Sequence, residues 1–324
     1  MLLRRIFAVI LLLLAVVLLI GVGAIIGTTP VGARVLSSFG TPTPTPKPIL
    51  TVQGTPPAIG AKAVYLLDAD TGHTLVNVNG QQRLPMASTT KIMTALITLQ
   101  SADLNQIVTI KQDAIDEVKK NQGSSAQLVV GDKIRLADLL YALMLPSGDD
   151  AAISIADTVA GSSAKFVDMM NQYAQRLHLT QTHYVNPDGL TYLTPQGKPD
   201  PNHYTSASDL AQLTRIAMND PLFAQIAQLQ EYKLAPTIDH HAYDWTTTDT
   251  LLSSYPGAVG VKTGFTPEAG YCLVFAGTSG GQHLIGVVLN DSATDPNVRF
   301  TDARKLLDWG FALPLRPPPP TPQP

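Results

Sequence analysis

Ala87-Ser88-Thr89-Thr90-Lys91-Ile92-Met93 runs directly into Thr94-Ala95-Leu96-Ile97-Thr98-Leu99, a stretch apolar enough to form a buried helix. A serine at the start of that helix and a lysine three residues later share one face, about one turn apart. Desolvated and set on the positive end of the helix dipole, such a lysine is held toward its neutral form. A neutral amine can take the proton of the serine hydroxyl and turn it into a nucleophile. Taken alone, however, Ser-x-x-Lys is a common pattern. It reads more simply as an N-cap serine followed by a solvated lysine.

Two later stretches change that balance. Pro146-Ser147-Gly148-Asp149-Asp150 follows the apolar helical run 136–145, and Gly260-Val261-Lys262-Thr263-Gly264-Phe265-Thr266 follows a short strand-like run. Ser-x-x-Lys, Ser-Asp-Asn and Lys-Thr-Gly in this order are the signature of penicillin-binding proteins and some β-lactamases. Further text narrows the match: Val185-Asn186-Pro187-Asp188-Gly189-Leu190, Tyr204-Thr205-Ser206-Ala207-Ser208-Asp209-Leu210, and the continuation Pro267-Glu268-Ala269-Gly270. Over about residues 58–312 the chain resembles the serine-type D-Ala-D-Ala carboxypeptidases, low-molecular-mass penicillin-binding proteins of the β-lactamase/transpeptidase-like superfamily.

The resemblance implies roles for individual residues. Ser88 is the acylated nucleophile and Lys91 its general base. Ser147 relays protons between the lysine and the leaving group, and Asp149 completes the middle motif. Lys262, with Thr263, Gly264 and Phe265, meets the terminal carboxylate and the backbone of the substrate. The N–H groups of Ser88 and Phe265 form the oxyanion hole. Arg215 and Arg299 help set up carboxylate recognition, although each reads equally well as a structural salt bridge. Ser147 also reads as a capping-box serine, with Asp150, for a helix 151–160. One position departs from the family. The middle motif usually ends in Asn, which both accepts and donates hydrogen bonds, whereas the carboxylate of Asp149 only accepts.

The fold expected is α/β in the α+β sense. Ala63–Asp68 and Thr74–Val78 flank the turn Asp70-Thr71-Gly72 as a hairpin. The segments 271–277 and 283–289 flank Ser279-Gly280-Gly281 as a second. Between them lie helical stripes: Leu136, Leu139, Leu140, Leu143 and Met144; Phe166, Met169, Met170, Tyr173 and Leu177 behind a Ser163 cap; and a helix capped by Ser206 and running to Met218. A closing helix spans 302–311. Strands at both chain ends with helices between them imply one antiparallel sheet packed by helices, with a helical subdomain beside it.

Outside the body, Arg4-Arg5 precede an uncharged apolar run from Ile6 to Ile26, long enough for a membrane span. Residues 1–35 are therefore expected to be an N-terminal membrane anchor with the arginines on the cytoplasmic side; cleavage as an export signal is the alternative. Residues 36–57 read as a Thr/Pro-rich extended spacer, 58–312 as the catalytic domain and 313–324 as a Pro-rich disordered tail. The second β-rich domain and C-terminal amphipathic helix of some relatives have no counterpart in the text, so the anchor is expected at the front. A net charge of −3 gives no basic footprint for nucleic acid. The single cysteine, Cys272, excludes an internal disulfide and reads as a buried inert thiol. His240-His241 has no metal-ligand spacing, so neither a metal nor another cofactor is expected. The partners implied are peptidoglycan stem peptides, β-lactams as inhibitors and the bacterial plasma membrane. A β-lactamase and a non-catalytic wall-binding relative are the competing functions. The first needs a deacylating glutamate between the second and third motifs, where only Glu231 is available.

Overall fold

A computed structural model describes residues 48–316. The chain enters through a short strand, β1 (Ile49–Leu50), and then forms the expected hairpin, β2 (Ala63–Asp68) and β3 (Thr74–Val78). A 3-10 turn, Ala87–Thr90, leads into α1 (Lys91–Ser101). Next come β4 (Ile107–Thr109), α2 (Gln112–Asn121), β5 (Lys133–Arg135), α3 (Leu136–Met144), α4 (Asp149–Ala160), α5 (Ser163–Arg176), α6 (Ala207–Ala217) and α7 (Pro221–Ala227). The chain then returns through β6 (Glu231–Leu234), β7 (Tyr243–Thr246) and α8 (Leu251–Ser254) to the long strands β8 (Ala258–Thr266), β9 (Gly270–Ser279) and β10 (Gln282–Leu289). It closes with α9 (Val298–Phe311) and β11 (Leu315–Arg316).

The central sheet has the order β3-β2-β10-β9-β8 and every pairing is antiparallel, so the two chain ends build it together. Its inner strands are buried on both faces, and the period-2 alternation sorts their side chains into two cores. Ala63, Tyr65, Leu67, Cys272, Val274, Ile285 and Val287 face the helical side. Val64, Leu66, Leu273, Phe275, Leu284 and Val288 face α9, which supplies Phe300, Ala303, Leu306 and Leu307. Gly286 lies opposite Phe275 because a side chain there would collide with the phenyl ring. On the helical side α1 is enclosed by α3, α4, α5 and α6. Its Ile92, Met93, Leu96 and Ile97 are at most 1% exposed. Burying each contributes about 1.5–3 kcal/mol, which holds the start of this helix in one place.

Several sequence expectations are corrected. The cap of α5 is Ser162, not Ser163: Ser162 has the extended backbone a cap requires and its Oγ accepts from Lys165 N, whereas Ser163 Oγ donates to Asp157. Helix α4 begins at Asp149 with Gly148 in the cap position, so Ser147 is not its cap. The closing helix starts at Val298 and takes Arg299 into its first turn. The body is also longer than 58–312. Ile49–Leu50 pairs with Leu315–Arg316, Thr51 N donates to Pro314 O at 3.0 Å, and Leu50 and Leu313 are buried in the α9-side core. Ile49–Thr51 and Leu313–Arg316 are therefore joined to each other on the body instead of belonging to spacer and tail. Among the described residues no helix is long and apolar enough to cross a membrane. The expected anchor 1–35, the spacer up to 47 and the tail from 317 lie outside the described residues.

Candidate active site

The 3-10 turn and α1 place Ser88 and Lys91 as the spacing predicts. Lys91 is fully buried, and its Nζ donates to Ser88 Oγ at 3.1 Å, to Asp188 O at 2.7 Å and to the Asp149 carboxylate. Those bonds use all three ammonium donors; a neutral amine would keep two of them, to Asp188 O and Asp149, and turn its lone pair to the Ser88 hydroxyl. The turn itself is shaped by side chains. Thr89 Oγ1 donates to Met86 O at 2.6 Å and Thr90 Oγ1 to Ala87 O at 2.7 Å. Ala87, just before the nucleophile, has φ +47°, a left-handed conformation that costs about 1 kcal/mol or more for a non-glycine residue. Buried His203 backs this turn. Its Nδ1 accepts from Val185 N at 3.1 Å, so its Nε2–H donates to Thr90 Oγ1 at 2.8 Å. Burial holds His203 down at about 3, so the ring stays neutral and this relay persists through the neutral range. Gly189, at φ +91°, lies against the Ala87 carbonyl where any Cβ would collide.

The loop between α3 and α4 delivers the second group. Ser147 is 4% exposed with φ +63°, and its Oγ has no hydrogen-bond partner. Asp150 fixes the loop: its carboxylate accepts from Ser125 Oγ, Ala126 N, Leu128 N and Ala151 N. Asp149 Oδ1 accepts from Lys91 while its buried Oδ2 has no partner. Burial pushes the Asp149 carboxyl up, against the opposing pull of the Lys91 ammonium. Asp188 is the second buried carboxyl here, accepting from Leu190 N at 2.7 Å and Tyr192 Oη at 3.2 Å. Burial, and then the charge of Asp149, raises it to about 7.

The third group lies on β8, the outer strand of the sheet. Gly264 packs directly on the nucleophile turn. A Cβ there would stand 3.2 Å from Ser88 N and 3.1 Å from Ala87 Cβ, so glycine is what lets strand and turn approach. Lys262 is 1% exposed, with Nζ donating only to Thr263 O at 3.2 Å. Burial, followed by the nearby charges of Lys91 and Arg299, pushes Lys262 well below the usual lysine value. Thr263 shares a 2.6 Å hydrogen bond with Thr248. Phe265 is exposed and stacks on Tyr271 with ring centroids 4.3 Å apart. Arg299 braces β8 from α9, donating to Gly264 O at 3.0 Å and Cys272 O at 3.3 Å. It therefore shapes the strand through its carbonyls.

Arg215 is not brought to this place. Its guanidinium donates to Ala69 O at 2.7 Å and Asp70 O at 3.4 Å, tying α6 to the β2–β3 turn. That turn adjoins the start of β10, at the end of the sheet remote from Gly264. Its expected part in carboxylate recognition is thus replaced by a structural one. Glu231 is exposed on β6 and pairs with Lys233 at 2.9 Å. His241 is held by Asp132 at 2.9 Å on the β6–β7 loop. Burial pushes the Cys272 thiol up to about 11, which keeps it protonated and inert. Sequence reasoning gave no role to Asp188, His203 or Asp249. The first lay within a quoted motif. Asp249, raised to about 6 by burial and close enough to feel Lys262 and Arg299, had no sequence signal.

Removing the charge at position 149 tests the departure from the family motif. An Asn oxygen accepts the same bond from Lys91 without adding a charge beside it. Asp149→Asn is therefore expected to be acylated by penicillin at least as fast as the wild type near neutral pH. Slower acylation of the folded variant at every pH would show instead that the carboxylate is required.

A sheet edge carrying a lysine, beside a buried Ser–Lys pair and a loop serine, defines the active-site serine enzymes of the β-lactamase/transpeptidase-like fold. Within that class, residues 51–293 match the Peptidase S11 family, D-alanyl-D-alanine carboxypeptidase, and the chain belongs to it. It is 40% identical over 271 residues to the D-alanyl-D-alanine carboxypeptidase of Streptomyces sp. (strain K15), covering 80% of this chain and 90% of that one. It is 33% identical to the D-alanyl-D-alanine carboxypeptidase DacF of Bacillus subtilis (strain 168), with 78% of this chain and 62% of the relative covered. The crystal structure of the Streptomyces K15 DD-transpeptidase superposes with a TM-score of 0.73 at 38% identity, over 80% of this chain and all of that one.

Proposed function

We propose that the protein removes the terminal D-alanine from peptidoglycan stem peptides through an acyl-enzyme on Ser88. The observation that carries this is the 3.1 Å bond between buried Lys91 and Ser88 Oγ, facing a strand that bears a second buried lysine, Lys262. The Ser88 proton passes to neutral Lys91 as Oγ attacks the carbonyl between the two D-alanines. The developing oxyanion is received by the N–H groups of Ser88 and Phe265. Ser147, whose Oγ has no partner within the protein, passes a proton on to the departing amine. D-alanine leaves with its carboxylate against Lys262 and Thr263. Water then attacks the ester, returning the proton to Ser88. β-Lactams acylate the same oxygen and remain bound as esters.

The β-lactamase alternative lacks a deacylating glutamate, because Glu231 is committed to Lys233 at the surface. A scaffold without catalysis has no use for a buried lysine held on a serine, an arrangement that carries a desolvation cost. Transpeptidation, the reaction in the solved relative's name, would offer the same acyl-enzyme an amine in place of water. The test is D-alanine release from an acyl-L-Lys-D-Ala-D-Ala peptide, alone and with an added amine acceptor. Absence of release in both conditions would refute the reading.

The run Ile6–Ile26 serves, in this reading, as an uncleaved anchor that holds the body on the wall side of the plasma membrane. The full chain should sediment with membranes and resist extraction by high salt. Recovery of a soluble exported protein with a mature N-terminus near residues 25–30 would overturn the anchor.

A further inference from the structure

Strand β8 carries charge on both of its faces. Lys262 stands opposite Val274, a residue of the helical-side core, and Gly264 shares that face and meets Ser88 there. Thr263 stands opposite Leu273, a residue of the α9-side core, and so points backward. There its Oγ1 shares the 2.6 Å bond with Thr248. Thr248 N also donates at 3.1 Å to the carbonyl of Leu145, at the start of the loop that carries Ser147. The segment that follows β7 is thereby pinned to two parts of the active site, from behind the strand.

Asp249 lies in this segment and is 3% exposed. Its Oδ1 accepts from Leu251 N at 3.0 Å, and Leu251 is itself buried in the α9-side core. Its Oδ2 is buried with no hydrogen-bond partner among the described residues. Arg299 comes to β8 from α9, which packs on that same back face, and its buried Nε is likewise without a partner. The charges that act on the Asp249 carboxylate are those of Arg299 and Lys262, and burial raises it to about 6, so it is ionised through the neutral range. Lys262 in turn faces Lys91 of α1, Asp149 of α4, Arg299 and Asp249. Arg299 faces Cys272 and Tyr271 of β9, Asp249, and Asp291 beyond β10. Two buried cations this close oppose each other, and a buried anion between their elements offsets that opposition.

Resting on the carboxypeptidase reading, we infer that Asp249 is a positioning residue for carboxylate capture: from behind β8 its carboxylate is the resident counter-charge of Lys262 and Arg299, and it supports the ammonium form of Lys262 that receives the substrate. Removing an anion near an ammonium favours the neutral amine, so the effect has a fixed sign.

Asp249→Asn is the test, because an Asn oxygen keeps the bond to Leu251 N while the charge is lost. The measurement is kcat/KM against pH for Nα,Nε-diacetyl-L-Lys-D-Ala-D-Ala and for its C-terminal methyl ester, in the wild type and the variant. The ester has no carboxylate to capture, so it serves as internal reference for folding and acyl chemistry. The ratio of acid to ester isolates the limb on which Lys262 loses its proton. In Asp249→Asn that limb should move to lower pH. Below about pH 5 the wild-type Asp249 is itself protonated, and the two proteins should give the same ratio. A limb at the same pH in both proteins, or a ratio that differs by one constant factor at every pH, overturns the assignment. Loss of ester turnover in the variant overturns it too, since Asp249 would then serve the fold alone. Absence of release from both substrates by the wild type instead overturns the carboxypeptidase reading.

Discussion

Incubated with benzylpenicillin, Ser88→Ala is expected to show no mass increase, while the wild-type protein gains one penicilloyl group on the peptide containing Ser88. D-alanine release by the variant should fall by a factor on the order of 10⁴ or more, as for other enzymes stripped of a nucleophile. The size follows from the geometry. Ser88 Oγ is the atom 3.1 Å from Lys91 Nζ, and Gly264 packs the lysine-bearing strand β8 directly against the same turn. The substitution removes one hydroxyl and leaves Lys91 with acceptors on Asp149 and Asp188, so the fold is expected to persist. Residual covalent labelling of folded Ser88→Ala would reassign the nucleophile, and Ser147 would be the next residue to examine.

Much of this was legible because it depends on local periodicity. The hairpin β2–β3 matched its predicted boundaries since an alternating apolar strand, a glycine turn and a second strand leave few alternatives. The Ser-x-x-Lys spacing implied a shared face that any helix would provide. What failed depended on contacts distant in sequence. Ser147-x-x-Asp150 has the pattern of a capping box. The carboxylate of Asp150 is instead drawn to the amides of Ala126 and Leu128, and Ser147 is left at positive φ, two residues before the Asp149 that bonds Lys91. Arg215 lies on the predicted helix, yet which end of the sheet that helix meets is set by α6 packing on β2 and β10. The ends of the body were misplaced for a similar reason. Ile49–Leu50 looks like the last apolar residues of a Pro-rich spacer until Leu315–Arg316 arrives beside it. His203 gave no signal at all, because its role lies in a bond to Thr90, 113 residues earlier in the chain.

Lys262 is the position where function should oppose stability. It is buried, carries one backbone hydrogen bond, and is pushed well below the usual lysine value by burial and by the charges of Lys91 and Arg299. The sign follows directly. A lysine with a depressed folded value binds its proton less readily in the native state than in the unfolded chain. Stability is therefore lost as pH falls from the unfolded lysine value toward the folded one, and an uncharged residue of similar volume removes that penalty. Lys262→Met is accordingly expected to melt a few degrees higher than the wild type at neutral pH. It should also lose roughly 10²–10³ in kcat/KM on a peptide ending in a free carboxylate, the size seen when one preorganised donor is deleted. The same depression makes substrate capture pH-dependent. An incoming carboxylate favours the ammonium form, so binding takes up a proton whenever Lys262 is neutral in the free enzyme. Above the pH at which Lys262 loses its proton, kcat/KM for the carboxylate substrate should fall about tenfold per pH unit, while the corresponding methyl ester shows no such limb. Lys262→Arg keeps its charge throughout and should abolish that limb while retaining preference for the acid over the ester. If Lys262→Met instead discriminates between acid and ester as the wild type does, the carboxylate is bound elsewhere, and Arg299, 8% exposed behind β8, becomes the residue to test.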